Sequence, residues 1–494
     1  MAAHLPALQV VVPMLTAPVL VLLHDARLCW LAALLTSAMS FAIAVALTVA
    51  VLAGADIHYD MGGWAAPYGI ELRVDALSAV LLLVSTGAST LALLAGRDSL
   101  LGQIGRARQS LFYAAWLLAL AGLAGILVSG DAFNIFVFME ISSLATYILV
   151  AGGPDRRALP AVFKYLITGT VGATFYLIGV GMVFMMTGTL NIVDMELRLA
   201  DVGDVNLVLV AAGFITIGLA LKAAVFPLHA WMPNAYTWAP HMVTAFIAAC
   251  STKVALYVLL RMDFFVFQPN LLGHELQFAF FLMPMAVLGI MFGSIAAIFE
   301  PNVKRVLAFS SVAQLGYILL GASLVSVAGF NASVLHLFNH ALAKSALFLA
   351  VACLGMRYAG LELRELRGAG REMPWTLTAF ALAGLSLVGV PGTAGFVSKW
   401  ALILAAMERG ALGVALVVLI VVSSLLAVVY IGRVVEQLWF GEPPGEDPAV
   451  REAPVLMLGV TYLVVAANFW FGLDATIPGE LAAQAARDLL RVAP

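Results

Sequence analysis

Apolar residues along this chain come in long unbroken runs. They lie near 6–23, 29–54, 76–95, 110–129, 132–151, 161–188, 205–226, 239–260, 277–299, 305–327, 330–356, 374–407, 411–438 and 453–473. Runs of about 20 apolar residues are long enough to cross a bilayer as helices. A membrane barrel would instead alternate apolar and polar positions in short stretches. The pattern therefore predicts an all-α polytopic membrane protein with fourteen transmembrane helices. The connections are short. The longest, around 55–75 and 189–204, contain Gly, Asp, Trp or Asn but hold no second domain. The opening MAAHLPALQVVVPMLTAPVLVLL lacks the basic stretch and cleavage site of a signal peptide, and is expected to be the first spanning helix.

Composition agrees. Of 494 residues, 63% are hydrophobic and 11% charged, and the mean hydropathy is +1.03. Soluble domains carry about 25% charged residues, so extracellular, nucleic-acid-binding and disordered classes are excluded. The net charge of −3 gives no basic surface that would seek nucleic acid. Cys29, Cys250 and Cys353 lie far apart in or beside apolar runs, with no CxxC pair or His/Cys cluster. They are expected to be small core residues, and no cofactor or metal site is expected.

Charge placement tests the span count. With both termini outside, the inside loops hold Arg27, Arg97, Arg106, Arg108, Arg156, Arg157, Lys164, Lys304, Arg305, Arg357, Arg364, Arg367, Arg371, Arg433 and Arg451. The outside segments hold Arg73, Arg198, Arg261, Arg409, Arg487 and Arg491. Fifteen against six supports the alternation, and the remaining basic residues are Lys222, Lys253, Lys344 and Lys399. Of 28 carboxylates, this pattern leaves one, Glu140, within a span.

A charge at the bilayer centre costs roughly 2.5–3.5 kcal/mol on insertion scales. Long side chains near a helix end reach the interface instead, which suits Lys164 and, less well, Lys253. It suits Glu140, Lys344 and Lys399 poorly. Four lysines and one glutamate with no other charge in the spans read as a chain of exchangeable protons. As the one carboxylate expected there, Glu140 is the natural partner of a lysine, and changing the Glu140–Lys222 separation would load or unload a proton. In the eleventh run, His336, His340 and Lys344 are spaced i, i+4, i+8, which makes one polar stripe on an apolar rod. Imidazole accepts a proton on one nitrogen while giving one from the other.

Two runs carry interruptions. In the seventh, GLALKAAVFPLHAWMP, Pro227 should break the helix just after Lys222, with His229 past the break. In the twelfth, Gly389, Pro391, Gly392 and Gly395 precede Lys399. Paired interrupted helices in corresponding halves mark an inverted-repeat transporter. The expected division is 1–109 (helices 1–3), 110–260 (first repeat, helices 4–8), 275–438 (second, inverted repeat, helices 9–13) and 439–494 (helix 14 and a short tail).

The segments FPLHAWMPNAYTWAP, ITGTVGATFYLIGVGMVFMMTGTLNI, KRVLAFSSVAQLGYILLG, HLFNHALAKSALFLA and GVPGTAGFVSKW resemble the antiporter-like subunit superfamily. It includes the D-type subunits of Mrp multisubunit cation/proton antiporters and the antiporter-like subunits of respiratory complex I and membrane-bound hydrogenases. The resemblance covers about residues 65–440 and implies two inverted five-helix repeats with helices seven and twelve broken. By motif it implies that Glu140 and Lys222 form an ion pair and that Lys253 belongs to a central polar axis. It also implies that His336, His340 and Lys344 form a polar face and that Lys399 opens to the exit side. Where several relatives carry a histidine, SSVAQLGY places Gln314, which hydrogen-bonds water but cannot titrate. That form, and the length of the chain, resemble the Mrp D type.

The favoured expectation is a proton-translocating subunit of an Mrp-type antiporter in a bacterial or archaeal cytoplasmic membrane. Partner subunits would handle Na⁺ or K⁺, because one carboxylate is a poor site for a hard cation. The alternatives are a pumping subunit of a complex I or hydrogenase assembly, whose redox chemistry would lie in other subunits, and a scaffold with static charge pairs.

Overall fold

A computed structural model describes residues 4–23, 25–203, 205–267, 275–442 and 451–491, with backbone alone for 275–280. The expected placement of both termini rests on residues 1–3 and 492–494, which lie outside the described residues. So do 268–274, and 443–450 in the expected tail segment.

The helices are α1 (Leu5–Leu22), α2 (Ala26–Leu52), α3 (Ala76–Gln103), α4 (Gln109–Val128), α5 (Ala132–Ala151), α6 (Ala158–Thr187), α7 (Ile192–Leu199), α8 (Val205–Lys222), α9 (Met232–Trp238) and α10 (His241–Leu260). They continue as α11 (Glu275–Phe299), α12 (Val303–Ser323), α13 (Val327–Gly355), α14 (Ala369–Glu372), α15 (Pro374–Val388), α16 (Ala394–Met407), α17 (Gly410–Phe440), α18 (Val455–Leu473) and α19 (Thr476–Leu490). Among the described residues, thirteen helices are long and apolar enough to cross a membrane. The twelfth expected span is the pair α15 and α16, too short singly. The fold is thus a multi-pass helical membrane protein.

Burial sorts the helices into an inner and an outer set. In α12, 94% of the span lies inside the protein, and in α4, α10 and α13 89%, against 28% in α17. A helix apolar all round suits either a core or lipid, so composition alone could not sort them. The inner set includes the three helices that carry Lys253, Gln314 and the His336–Lys344 stripe.

Three of the acidic residues counted in loops are helix caps. Asp25, Asp75 and Asp131 accept hydrogen bonds from backbone N–H groups that open α2, α3 and α5. The 55–75 connection forms an antiparallel hairpin, β1 (Ile57–Asp60) with β2 (Glu71–Val74), in register Ile57↔Val74. His58 bridges Asp56, at 2.8 Å, and Glu71. Partial burial works against a charged imidazole, but the two carboxylates outweigh it and hold His58 above its ordinary pKa. Glu71 also accepts from Asn191 Nδ2 at 2.8 Å, which ties the hairpin to the start of α7.

Arg261, Asp263 and Lys304, counted in loops, are buried at the ends of apolar runs. The eighth run does not stop at 260: a wide turn, Arg261–Val266, extends α10. It buries Arg261, whose guanidinium lies 2.6 Å from Asp75 Oδ2, and Asp263, which is fully buried. Glu140 is therefore not the one carboxylate within the spans. Lys304, counted in an inside loop, is buried on the first turn of α12 and donates to the Ala239 carbonyl at 2.8 Å. In each case the charge sits at the end of an apolar run, where hydropathy sees a boundary but packing continues.

Glycines let α6 and α8 approach closely. A Cβ at Gly218 would lie 2.5 Å from the Gly172 carbonyl oxygen and 2.7 Å from the Tyr176 nitrogen. Gly218→Val is expected to force the pair apart at a cost of about 1–3 kcal/mol and to lower the melting temperature of the purified protein. Gly213→Ala, where a Cβ meets nothing within 4 Å, should leave it unchanged.

Candidate functional site

The first interruption begins earlier than Pro227 suggests. α8 ends at Lys222, and Ala224 takes a left-handed conformation, φ +55°. The Val225 N–H reaches back to the Ala220 carbonyl at 3.0 Å, which closes the helix. Left-handed backbone costs a residue other than glycine roughly 1–2 kcal/mol, so the surrounding packing imposes this end. The second interruption closes the same way with the usual residue. Gly389 has φ +90°, and the Val390 N–H reaches the Leu385 carbonyl at 3.0 Å.

A helix end leaves carbonyls without partners, and each break answers this with a side chain. Trp231 Nε1 donates to the Leu221 carbonyl at 2.9 Å. At the end of α15, Lys399 Nζ donates to Leu387 O (3.1 Å) and Val388 O (2.9 Å), and to Ser424 Oγ (3.1 Å) on α17. The negative end of the α15 dipole favours this ammonium, and the Tyr317 ring lies 5.1 Å away.

Lys222 ends α8 and points at α5. Its Nζ lies 3.2 Å from Glu140 Oε1 and 2.7 Å from Ser143 Oγ. Ser143 is one turn on from Glu140, so one face of α5 supplies both acceptors. The Lys222 stem runs past Gly172, where a Cβ would lie 3.4 Å from its Cγ. Lys222 is buried while the Glu140 side chain keeps 27% exposure, so the pair reaches from the interior toward the protein surface. His229, beyond the break, is buried among Phe226, Phe292 and Phe309 and, among the described residues, has no partner for Nδ1. Pro227 follows Phe226 in the connecting turn, and Pro391 sits between α15 and α16.

The second cluster gathers on α10, α12, α13 and α16. Lys253 is fully buried, which excludes reaching the interface, and its Nζ donates to the Ala248 carbonyl. Lys344 Nζ donates to Leu307 O at 2.6 Å and to Ser310 Oγ, both on α12. His336 is held at both nitrogens: Nδ1 is 2.8 Å from Ser398 Oγ and Nε2 is 3.0 Å from Gln314 Oε1. Gln314 Oε1 only accepts, whereas Ser398 either donates or accepts, with Gly395 O at 3.3 Å as its alternative acceptor. The site thus serves the neutral ring and the imidazolium alike. His340 lies parallel to His336 at 6.1 Å and, among the described residues, has no partner for either nitrogen. Lys253 lies near enough to act electrostatically on His336, His340 and Lys344. Lys164, by contrast, is exposed on α6.

The structure therefore brings Glu140 to Lys222, and gathers Lys253, His336, His340, Lys344, Gln314 and Lys399. No hydrogen bond joins the two groups among the described residues. Ser143, Ser310 and Ser398 also belong to the site, and Lys304 lies on α12 one turn before Leu307, whose carbonyl meets Lys344, although the sequence did not single them out. The serines gave no signal among ordinary small residues. Lys304 had one, since with Leu307, Ser311 and Gln314 it repeats every three or four residues along α12.

Buried lysines and histidines and two broken helices in a multi-pass helical chain define the class: a membrane protein that holds ionisable groups within its spans. The chain belongs to the NADH:quinone oxidoreductase/Mrp antiporter transmembrane family, whose model matches residues 129–427. It is 40% identical over 489 residues to the N subunit of NADH-quinone oxidoreductase from Desulforudis audaxviator, covering 94% of this chain and 96% of that one. It is 28% identical to the D-type subunit of the Na⁺/H⁺ antiporter from Bacillus subtilis, covering 98% and 96%. A chain in the Mrp complex from Dietzia sp. superposes with a TM-score of 0.90 at 27% identity, covering 99% and 97%.

Proposed function

We propose that this chain is the proton-translocating subunit of a multisubunit monovalent cation/proton antiporter. The observation that carries the reading is the Glu140–Lys222 pair beside a buried line of Lys253, Lys344, His340, His336 and Lys399. Isolated buried charges are costly and rare unless they serve a function. Here each buried lysine holds few hydrogen bonds, chiefly to carbonyls and hydroxyls, which a changing proton load can exchange for water.

Protons move along Glu140, Lys222, Lys253, Lys344 or the two histidines, and Lys399, with water completing the gaps beside Gln314 and His340. Lys304 extends the line along α12. The chain is built from two repeats, 110–260 and 275–438, each containing one of the broken helices, flanked by 1–109 and 439–494. Both termini lie outside a bacterial or archaeal cytoplasmic membrane. Na⁺ or K⁺ passes through a partner subunit, since Glu140 is engaged with Lys222 and a hard cation wants several oxygen ligands. The names of the Bacillus subtilis and Dietzia relatives support the antiporter assembly.

The 40% identity to an NADH-quinone oxidoreductase subunit supports a second reading, a pumping subunit of a redox-driven complex. Vesicles containing the complex purified with its partner subunits separate the two. An imposed Na⁺ or K⁺ gradient is expected to drive proton movement, reported by a pH-sensitive dye, with no electron donor present. Proton movement that appears only on oxidation of a donor would establish the redox reading.

A further inference from the structure

Asp263 is a buried ionisable group that the proposed line does not use. It sits in the wide turn that extends α10 and is fully buried. Thr216 Oγ1, on α8, donates to its Oδ1 at 2.8 Å. Its Oδ2 is buried with no hydrogen-bond partner among the described residues.

The turn packs against α7, α8, α10 and α19. The titratable groups on these elements and on the turn are Asp194, Glu196 and Arg198 on α7, Lys222 on α8, and His241, Cys250, Lys253, Tyr257 and Arg261 on α10 and its extension. Glu480, Arg487 and Asp488 lie on α19, and Arg491 just after it. Four of the cations are engaged with other carboxylates: Arg198 with Asp194, Lys222 with Glu140, Arg261 with Asp75 and Arg491 with Glu196. Lys253 is bonded to a carbonyl within its own helix. Among the described residues no cation pairs with Asp263.

A carboxylate with one hydroxyl donor and no counter-charge is a poor occupant of such a site. A carboxylic acid is a good one, because it is neutral and leaves one oxygen to accept from Thr216. We propose that Asp263 is a binding site for an exchangeable proton, carried on Oδ2 while Oδ1 accepts from Thr216. Thr216 precedes Lys222 by six residues on the same helix, about 9 Å of axial rise. The site therefore lies beside the first cluster but outside the proposed proton line, and it does not depend on whether the complex is driven by a cation gradient or by redox chemistry.

Infrared spectra of the purified complex in H₂O and D₂O test this. The wild-type minus Asp263→Asn difference is expected to contain the C=O stretch of a protonated carboxylic acid, moving to lower frequency in D₂O. Thr216→Val, with Asp263 intact, is expected to move that band to higher frequency, because the C=O loses its donor. Carboxylate stretches alone in the difference, a band indifferent to D₂O, or a band that Thr216→Val does not move would each overturn the proposal. Transport does not enter these measurements, so their failure is distinct from failure of the antiport reading.

Discussion

Glu140→Gln is expected to cut proton-coupled transport by the assembled complex about tenfold or more, equivalent to roughly 1.4 kcal/mol or more of added barrier. Glutamine keeps the size and hydrogen-bonding ability of the side chain, so Ser143 and the substitute amide still surround Lys222. What disappears is the counter-charge 3.2 Å from the ammonium and a group that can take up the proton. Lys222→Ala is expected to fail as severely, for the complementary reason. Ser143→Ala should be milder, since it removes a 2.7 Å hydrogen bond but no charge. The measurement is transport in vesicles, with assembly checked by size-exclusion chromatography. Wild-type transport by a fully assembled Glu140→Gln complex would mean that the pair is structural and that the proposed route is wrong.

Lys399→Gln is expected to abolish most transport as well, again about tenfold or more, while His336→Ala stays within a factor of about three, under ~1 kcal/mol. The contrast follows from what remains after each change. Lys399 meets the carbonyl end of α15, and glutamine retains N–H donors for Leu387 and Val388 but carries no exchangeable charge. No other lysine or histidine donates to those carbonyls among the described residues. Removing His336 leaves Gln314 and Ser398 in place with room for water between them, and the parallel ring of His340 remains on the same face. Equal losses in the two variants would show that His336 is an obligatory carrier and that water does not substitute for it.

The residues of the site differ in how far the sequence exposes them. The Glu140–Lys222 pairing was legible because a carboxylate in an apolar run is rare and its options are few. The His336–Lys344 stripe was legible because helical periodicity alone places i, i+4 and i+8 on one face. Asp263 and Arg261 were not, since they follow an apolar run at the point where hydropathy falls and the helix nevertheless continues. Lys304 lies at the opposite kind of boundary, where only its helical spacing with Ser311 and Gln314 marked it. Pro227 announced a break but not its position: the chain leaves the helix after Lys222 because Ala224 is held left-handed by its surroundings.

The sequence by itself determined that this protein is helical, crosses the membrane many times and carries ionisable groups where lipid would not tolerate them. Those properties follow from run length, composition and periodicity, which are local. Only the tertiary structure decided which apolar helices face the core, where each break closes, and which serines and carbonyls receive the buried lysines. In a chain this uniformly apolar, hydropathy cannot tell a protein neighbour from lipid. Close packing between distant segments makes that distinction, as where Gly172 meets Gly218 and where α15 turns its last carbonyls toward Lys399.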